Sequence, residues 1–230
     1  MSADGTTHDR CRFKDLCIDA TDQHRLALFW SAALGLEAEA LDNGAYRLGD
    51  DVVEHTVWIN PVPEARTVKQ RVHLDVTVRD IAELVEIGAE MVAELPRWTL
   101  LADPEGGELC AFVRSPERLT PYRLLEIVVD AVEPARIAAW WADRLGTGAR
   151  SSDDGSFWWL EPAAGLPVDW VFQGVPEPKR VKNRIHWDVL GDTAGLIGSG
   201  ATLLRPHSDD LAWDVLADPE GNEFCVFRPR

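Results

Sequence analysis

Trp98-Thr-Leu-Leu-Ala-Asp-Pro-Glu-Gly-Gly-Glu-Leu-Cys-Ala-Phe112 and Trp213-Asp-Val-Leu-Ala-Asp-Pro-Glu-Gly-Asn-Glu-Phe-Cys-Val-Phe227 are two versions of one pattern. Each reads as a strand, a tight turn and a second strand. Proline fixes φ early in the turn, and glycine accepts φ > 0 late in it. Beyond the turn, the two-residue period of a strand sends Glu223, Cys225 and Phe227 to one face and Phe224 and Val226 to the other. The earlier hairpin does the same, with Glu108, Cys110 and Phe112 sharing a face. The two turns stand 115 residues apart (218 − 103).

Upstream of each hairpin, two further matches fall in the same order. Ile18 to Gly35 matches Val129 to Gly146 at an offset of 111 (130 − 19), and Lys69 to Val76 matches Lys182 to Val189 at 113 (186 − 73). Ordered anchors with small drift indicate duplication of a whole domain. The Pro- and charge-bearing stretch 115–121 is the seam, which gives domains at 12–114 and 121–229.

Each repeat divides again. Alternation predicts a strand over 12–20 and a helix over 22–34, with Asp22 as N-cap, Leu26, Phe29, Trp30 and Ala33 on one face, and Gly35 as the stop. Strands follow at 36–41, 45–49 and 54–60. The pattern then restarts: a strand from His73 to Val78, a short helix capped by Asp80 with Ile81, Leu84 and Val85 on one face, and strands near 90–93, 97–102 and 107–113. The second repeat runs in parallel. Its short helix near 192–198 carries Gly191, Gly195 and Gly198, each costing about 1 kcal/mol in a helix interior. Strand–helix–strand–strand–strand therefore occurs four times. The fold class is α+β: curved mixed sheets with helices on the convex face and a cup on the other. The cup face carries Asp15, His73, Asp75, Glu108, Glu126, His186, Asp188 and Glu223.

Charge and cysteine use narrow the partners. A net charge of −16 argues against nucleic acid and anionic membranes, which demand a basic footprint. No apolar run approaches the roughly 20 residues of a membrane span, and the opening stretch 1–10 reads as polar loop rather than a signal peptide. Cys11, Cys17, Cys110 and Cys225 form no Cys-x-x-Cys pair. Free thiols in the cytoplasm are the expectation, in a monomer or homodimer.

The ordered set Phe29-Trp30…Leu34-Gly35, Lys182-Asn-Arg-Ile-His-Trp-Asp188 and Asp218-Pro-Glu-Gly-Asn-Glu-Phe-Cys225 resembles the vicinal oxygen chelate superfamily, and within it the glyoxalase-like branch, the fold shared with bleomycin-resistance proteins and ring-cleaving dioxygenases. The resemblance runs from Arg12 to Phe227. It implies tandem glyoxalase-like domains. The superfamily holds metal-dependent lyases, isomerases, epimerases and dioxygenases, together with metal-free proteins that bind and retain a drug, and fold alone does not choose among them.

Carried over position by position, the superfamily's first ligand falls on Asp15 or Glu126 and its His on His73 or His186. Its Glu on the last strand is replaced by Cys110 and Cys225. By repeat, this groups Asp15/His73/Cys110 and Glu126/His186/Cys225, with Glu108 and Glu223 two residues early on the same face. Catalytic roles, if any, fall to Glu126, His186 and Glu223. Ligand contacts are expected from Trp158, Trp159, Trp170, Asp188, Arg184, Phe227, Cys225, His73, Glu108 and Asp15. The consecutive pair Trp158-Trp159 places one ring on the cup side, which suits stacking on a flat aromatic ligand. The long stretch Gly174 to Asn183, with its counterpart Pro61 to Gln70, reads as a lid.

The cysteine substitutions favour a small-molecule-binding protein of resistance or sequestration type, with no cofactor. The alternative is a metal-dependent lyase, isomerase or dioxygenase that holds Zn, Ni, Mn or Fe through Glu126, His186 and Cys225 or Glu223. A hydrogen-bonded pair of His186 with Glu223, or of His73 with Glu108, on the cup floor is the metal-free expectation.

Overall fold

The computed structural model describes residues 9–229, so most of the opening stretch read as polar loop lies outside the described residues. Four copies of one unit follow in order. The first is β1 (Cys11–Ala20), α1 (Gln23–Leu34), β2 (Glu37–Ala40), β3 (Tyr46–Gly49) and β4 (Val57–Pro61). The second is β5 (Val72–Val78), α2 (Ala82–Glu86), β6 (Glu90–Glu94), β7 (Thr99–Ala102) and β8 (Glu108–Val113). The third is β9 (Leu124–Ala131), α3 (Pro134–Leu145), β10 (Ala149–Ser151), β11 (Phe157–Leu160) and β12 (Asp169–Gly174). The fourth is β13 (Ile185–Gly191), α4 (Thr193–Gly198), β14 (Thr202–Arg205), β15 (Asp214–Ala217) and β16 (Glu223–Phe227).

The caps expected for α1 form, whereas α2 has Ile81 at its N-cap in place of the expected Asp80. Asp22 accepts from Arg25 N at 3.0 Å, and Gly35 closes α1 in the left-handed region at φ 71°. In α2 only Leu84 is buried, and Val85, expected to share its face, is exposed. The helix α4 forms despite its glycines, held by an Asp192 cap on Gly195 N and by buried Leu196.

The units do not pair within a repeat. One sheet runs β14-β15-β16-β13-β1-β4-β3-β2 and joins the first unit to the fourth; the other runs β10-β11-β12-β9-β5-β8-β7-β6 and joins the second to the third. Antiparallel contacts β1–β13 and β5–β9 close each eight-stranded sheet at its centre. The repeats are therefore interlocked, and each cup takes half its residues from either repeat.

The two sheets face each other through their helix-covered sides. Trp141 of α3 lies 4.8 Å from Trp170 of β12, 5.4 Å from Trp187 of β13 and 5.1 Å from Phe224 of β16, so one helix packs against both sheets. Trp170 and Trp187 also meet directly across the sheets, 4.7 Å apart. Apolar residues of both repeats fuse into a single core, which leaves the opposite face of each sheet turned outward.

The Asp-Pro-Glu-Gly turns hold this arrangement. Asp103 Oδ1 accepts from Glu105 N and Gly107 N at 2.9 and 2.8 Å, and Asp218 Oδ1 repeats the bonds with Glu220 N and Asn222 N. Gly106 and Gly221 take positive φ, as the turn requires. The turn glutamates reach the neighbouring unit. Glu105 accepts from Thr21 N and Asp22 N at the entry to α1, and Glu220 accepts from Val132 N and Glu133 N at the entry to α3. A carboxylate at a helix N-terminus satisfies orphan amides and opposes the helix dipole.

Candidate functional site

Sheet pairing redistributes the residues expected to act together. Asp15 stands opposite Asp188, and Cys17 opposite His186, on β1 and β13, with Cys225 beside Asp188 on β16. Glu126 stands opposite Asp75 on β9 and β5, with Cys110 beside Asp75 on β8. The groupings Asp15/His73/Cys110 and Glu126/His186/Cys225 are therefore corrected. Glu126 lies in a different sheet from His186 and Glu223, so the expected trio does not assemble. The cause is the exchange of units between repeats, which sequence offsets cannot reveal.

In the first cup, Lys14 occupies a register shift in β1 and so joins the cup face out of alternation. Its ammonium pairs with Asp15, lies 3.8 Å from Asp188 Oδ2, and sits 4.4 Å from the centre of the Phe227 ring. Trp58 Nε1 donates to Asp15 at 2.9 Å, and Trp213 stacks on Phe227 at 5.1 Å. Burial, and then the neighbouring Asp15 charge, raise the Asp188 pKa well above the usual carboxylate range. Cys17 Sγ donates to Asp188 Oδ1 at 3.7 Å, and burial with these acids pushes its thiol up. Burial lowers His186 to about 4, and its Nδ1 is sealed without a partner.

In the second cup, the residue at the equivalent register shift is Leu125. Burial, then the charges of Asp75 and Asp169, raise Glu126 to about 7. His73 Nε2 lies 3.4 Å from Asp75 Oδ1, and burial pushes the Cys110 thiol up to about 12. Two ring pairs stand on opposite flanks of this sheet: Trp98 with Phe112 at 6.0 Å, and Phe157 with Trp159 at 5.9 Å. Phe157 is 42% exposed, and the other three rings are half-buried.

Of the tryptophans expected to touch ligand, only Trp159 faces a cup. Trp158 packs on the core, and Trp170 is fully buried between the sheets, because residues alternating with Val171 must point towards α3. The glutamates beside the turns anchor the rim instead of meeting histidine. Glu223 accepts from Lys179 Nζ at 2.6 Å and Asn183 N at 3.1 Å, and Glu108 accepts from Gln70 N at 3.2 Å. The expected His186–Glu223 and His73–Glu108 pairs are absent among the described residues, where the glutamates serve these rim groups. Cys17 and Lys14 were not anticipated. Cys17 follows Asp15 by two and was legible from strand period, whereas Lys14 depends on the register shift.

A chamber of about 1030 Å³ lies between the rim segments 62–71 and 175–184 rather than in either cup. Its cations are largely paired internally: Lys69 with Asp130 at 2.7 Å, Lys182 with Asp19, Arg184 with Glu105 at 3.1 Å. Arg71 donates to Glu177 O and Arg184 to Glu64 O, so each repeat ties the other's rim. This chamber joins the repeats by ion pairs already made.

Donor chemistry allows a metal in both cups. Donor atoms of Cys17, His186 and Asp188 lie within 4.8 Å of one another, as do those of His73, Asp75 and Cys110. Thiolate, imidazole and carboxylate together suit zinc. Buried Asp75 Oδ1 and His186 Nδ1 lack hydrogen-bond partners, which fits a role as ligands.

A family model described as Glyoxalase-like domain matches twice, over residues 15–112 and 126–227. Glyoxalase I from Zea mays superposes with a TM-score of 0.66 at 12% identity, covering 94% of this chain and 92% of that one. A protein of Bacillus subtilis subsp. subtilis str. 168 assigned as a dioxygenase gives 0.62 at 14% identity, covering 96% and 86%. At these identities the likeness is one of fold. No curated protein matches by sequence.

Proposed function

The chain belongs to the glyoxalase-like domain family, as a tandem duplication within the vicinal oxygen chelate superfamily, and from that premise we propose that it binds a small, flat aromatic molecule in the second cup. The observation that carries this reading is the pair of aromatic flanks, Trp98–Phe112 and Phe157–Trp159, left partly exposed on a helix-free face. Rings buried against α3 hold the fold; rings held away from it on both flanks of one sheet offer stacking surface. In the first cup Lys14 and Trp58 already engage the acids. The protein works by retention, without a catalytic metal, in the manner of resistance or sequestration proteins. A cytoplasmic setting belongs to the same proposal, supported by four free cysteines, all buried. No helix among the described residues is long and apolar enough to cross a membrane.

A ligand-observed NMR screen of flat aromatic fragments tests this reading. Hits that lose binding in Trp159→Ala and keep it in Trp58→Ala support it; hits indifferent to Trp159→Ala oppose it.

The mixed donor set favours a second reading, a metal-dependent lyase, isomerase or dioxygenase. His73, Asp75 and Cys110 would hold the ion, and Glu126 opposite Asp75 would exchange protons with substrate near neutral pH. A bound divalent ion supplies Lewis acidity to a coordinated oxygen. Stoichiometric Zn, Ni, Mn or Fe in protein purified without chelator, lost in His73→Ala, would establish it.

A further inference from the structure

The duplication places two copies of one niche in the same chain, and only one contains its own cation. In the first cup the niche is built from Asp15, Asp188 and the Phe227 ring backed by Trp213, and the Lys14 ammonium fills it. The equivalents in the second cup are Glu126, Asp75 and Phe112 backed by Trp98. The carboxyls stand in the same cross-strand register, and the rings are tilted by 31° against 29°. The register shift is also kept, but the residue on it is Leu125. Trp58, the other donor to Asp15, is paired with Cys17; its counterpart, paired with Val128, is Val171, which has nothing to donate. Two acids are thus gathered against a ring, and among the described residues no lysine ammonium sits between them as Lys14 does in the first cup.

Asp169, level with Glu126 on β12, adds a third carboxyl. Positive groups nearby are few. Arg114 lies over the Phe112 ring at 5.1 Å and donates to Val113 O, and it makes no ion pair with Glu126 or Asp75 among the described residues. Its charge reaches Glu126, as does that of His73, and pulls the Glu126 pKa down against the larger effects of burial and neighbouring acids, without an ion pair. His73, two residues before Asp75 on β5, holds Nε2 3.4 Å from Asp75 Oδ1.

We infer that the second cup selects an organic cation: an ammonium seated between Glu126 and Asp75 against Phe112, where Lys14 sits in the first cup, joined to a flat apolar body that lies between the aromatic flanks. A cation beside an aromatic face and a carboxylate pair is the arrangement the first cup shows with its own side chain. The inference rests on the binding site proposed above and names its ligand class.

Isothermal titration of the full chain, dialysed against EDTA, with benzylamine, benzyl alcohol and benzoate at pH 7.5 tests it, since the three differ mainly in charge. Benzylammonium is expected to bind at least tenfold more tightly than either of the others. Glu126→Gln should reduce that preference to less than threefold. Leu125→Lys, which installs the missing ammonium, should abolish benzylammonium binding. Equal binding of all three probes, or a preference that survives Glu126→Gln, overturns the inference while leaving an aromatic-lined site intact. Absence of binding by any probe overturns the inference together with the site. Should Leu125→Lys fail to fold, the near-isosteric Glu126→Gln decides alone.

Discussion

Asp15 and Asp188 face each other across β1 and β13 as a buried carboxyl pair, and Lys14 bridges them from a register shift in β1. Two acids in a dry site cannot both ionise without a cation nearby. Lys14→Met should therefore destabilise the chain by about 2 kcal/mol at pH 7, below the full cost of breaking a buried pair because Lys14 is partly solvated. Adding Asp188→Asn should recover most of that loss. Urea denaturation of the three proteins checks both expectations; a neutral Lys14→Met would mean the pair is held by other means.

Glu126 titrates at about 7 in the fold and near 4.5 when free. A raised acid pKa means that the folded state holds the proton more tightly. Its contribution is present below pH 4.5 and lost as pH rises through 7. Glu126→Gln should flatten that decline and gain roughly 1–2 kcal/mol relative to wild type at pH 8, after allowance for solvent screening. Unfolding free energies at pH 5 and 8 for both proteins give the comparison.

His186 contributes with the opposite sign. Its pKa falls to about 4 from 6.5, so the unfolded chain binds the proton more readily between those values. Stability from this group is present above pH 6.5 and lost as pH falls towards 4. His186→Gln should remove that acid-side loss, and the difference between wild type and variant, followed from pH 7 to 4.5, isolates it from the Glu126 effect.

Trp170 and Trp159 lie on the same sheet but face opposite ways, and truncation should separate them. Trp170→Ala opens a cavity between the sheets and should cost about 3–5 kcal/mol. Trp159→Ala should cost less than about 1 kcal/mol while removing ligand binding. Thermal melts combined with fragment binding read both quantities.

Glu105 and Glu220 link the hairpin turns to the entries of α1 and α3. Glu105→Ala should lower stability by about 1–2 kcal/mol, and amide exchange should speed up first at Thr21 and Asp22. Unchanged exchange there would show that water replaces the carboxylate without loss.

Much of this was legible in the chain. Hairpin turns, strand alternation and the capped helices at Asp22 and Gly35 are local chemistry, and local chemistry repeats visibly. The cup side of each strand followed from period two, which is why His73, Glu126 and His186 were expected on one face. What escaped was non-local. Sheets built from the first and fourth units, and from the second and third, bring Trp141 against both Trp170 and Trp187, and no spacing encodes that pairing. The same packing drew Trp170 inward. Lys14 was hidden because strict alternation puts it on the helix-covered side of β1, and a single-residue register shift turns it onto the cup floor. Glu108 and Glu223 sit where alternation puts them, but their partners come from distant rim segments.

A crystal structure of the chain soaked with 2-naphthylmethylamine decides whether the second cup holds an aromatic cation. Density for the ring system is expected in the second cup, between the Trp159 and Phe112 flanks, with its amine against Glu126. Density only in the chamber between 62–71 and 175–184, with the cup holding solvent alone, would contradict this expectation.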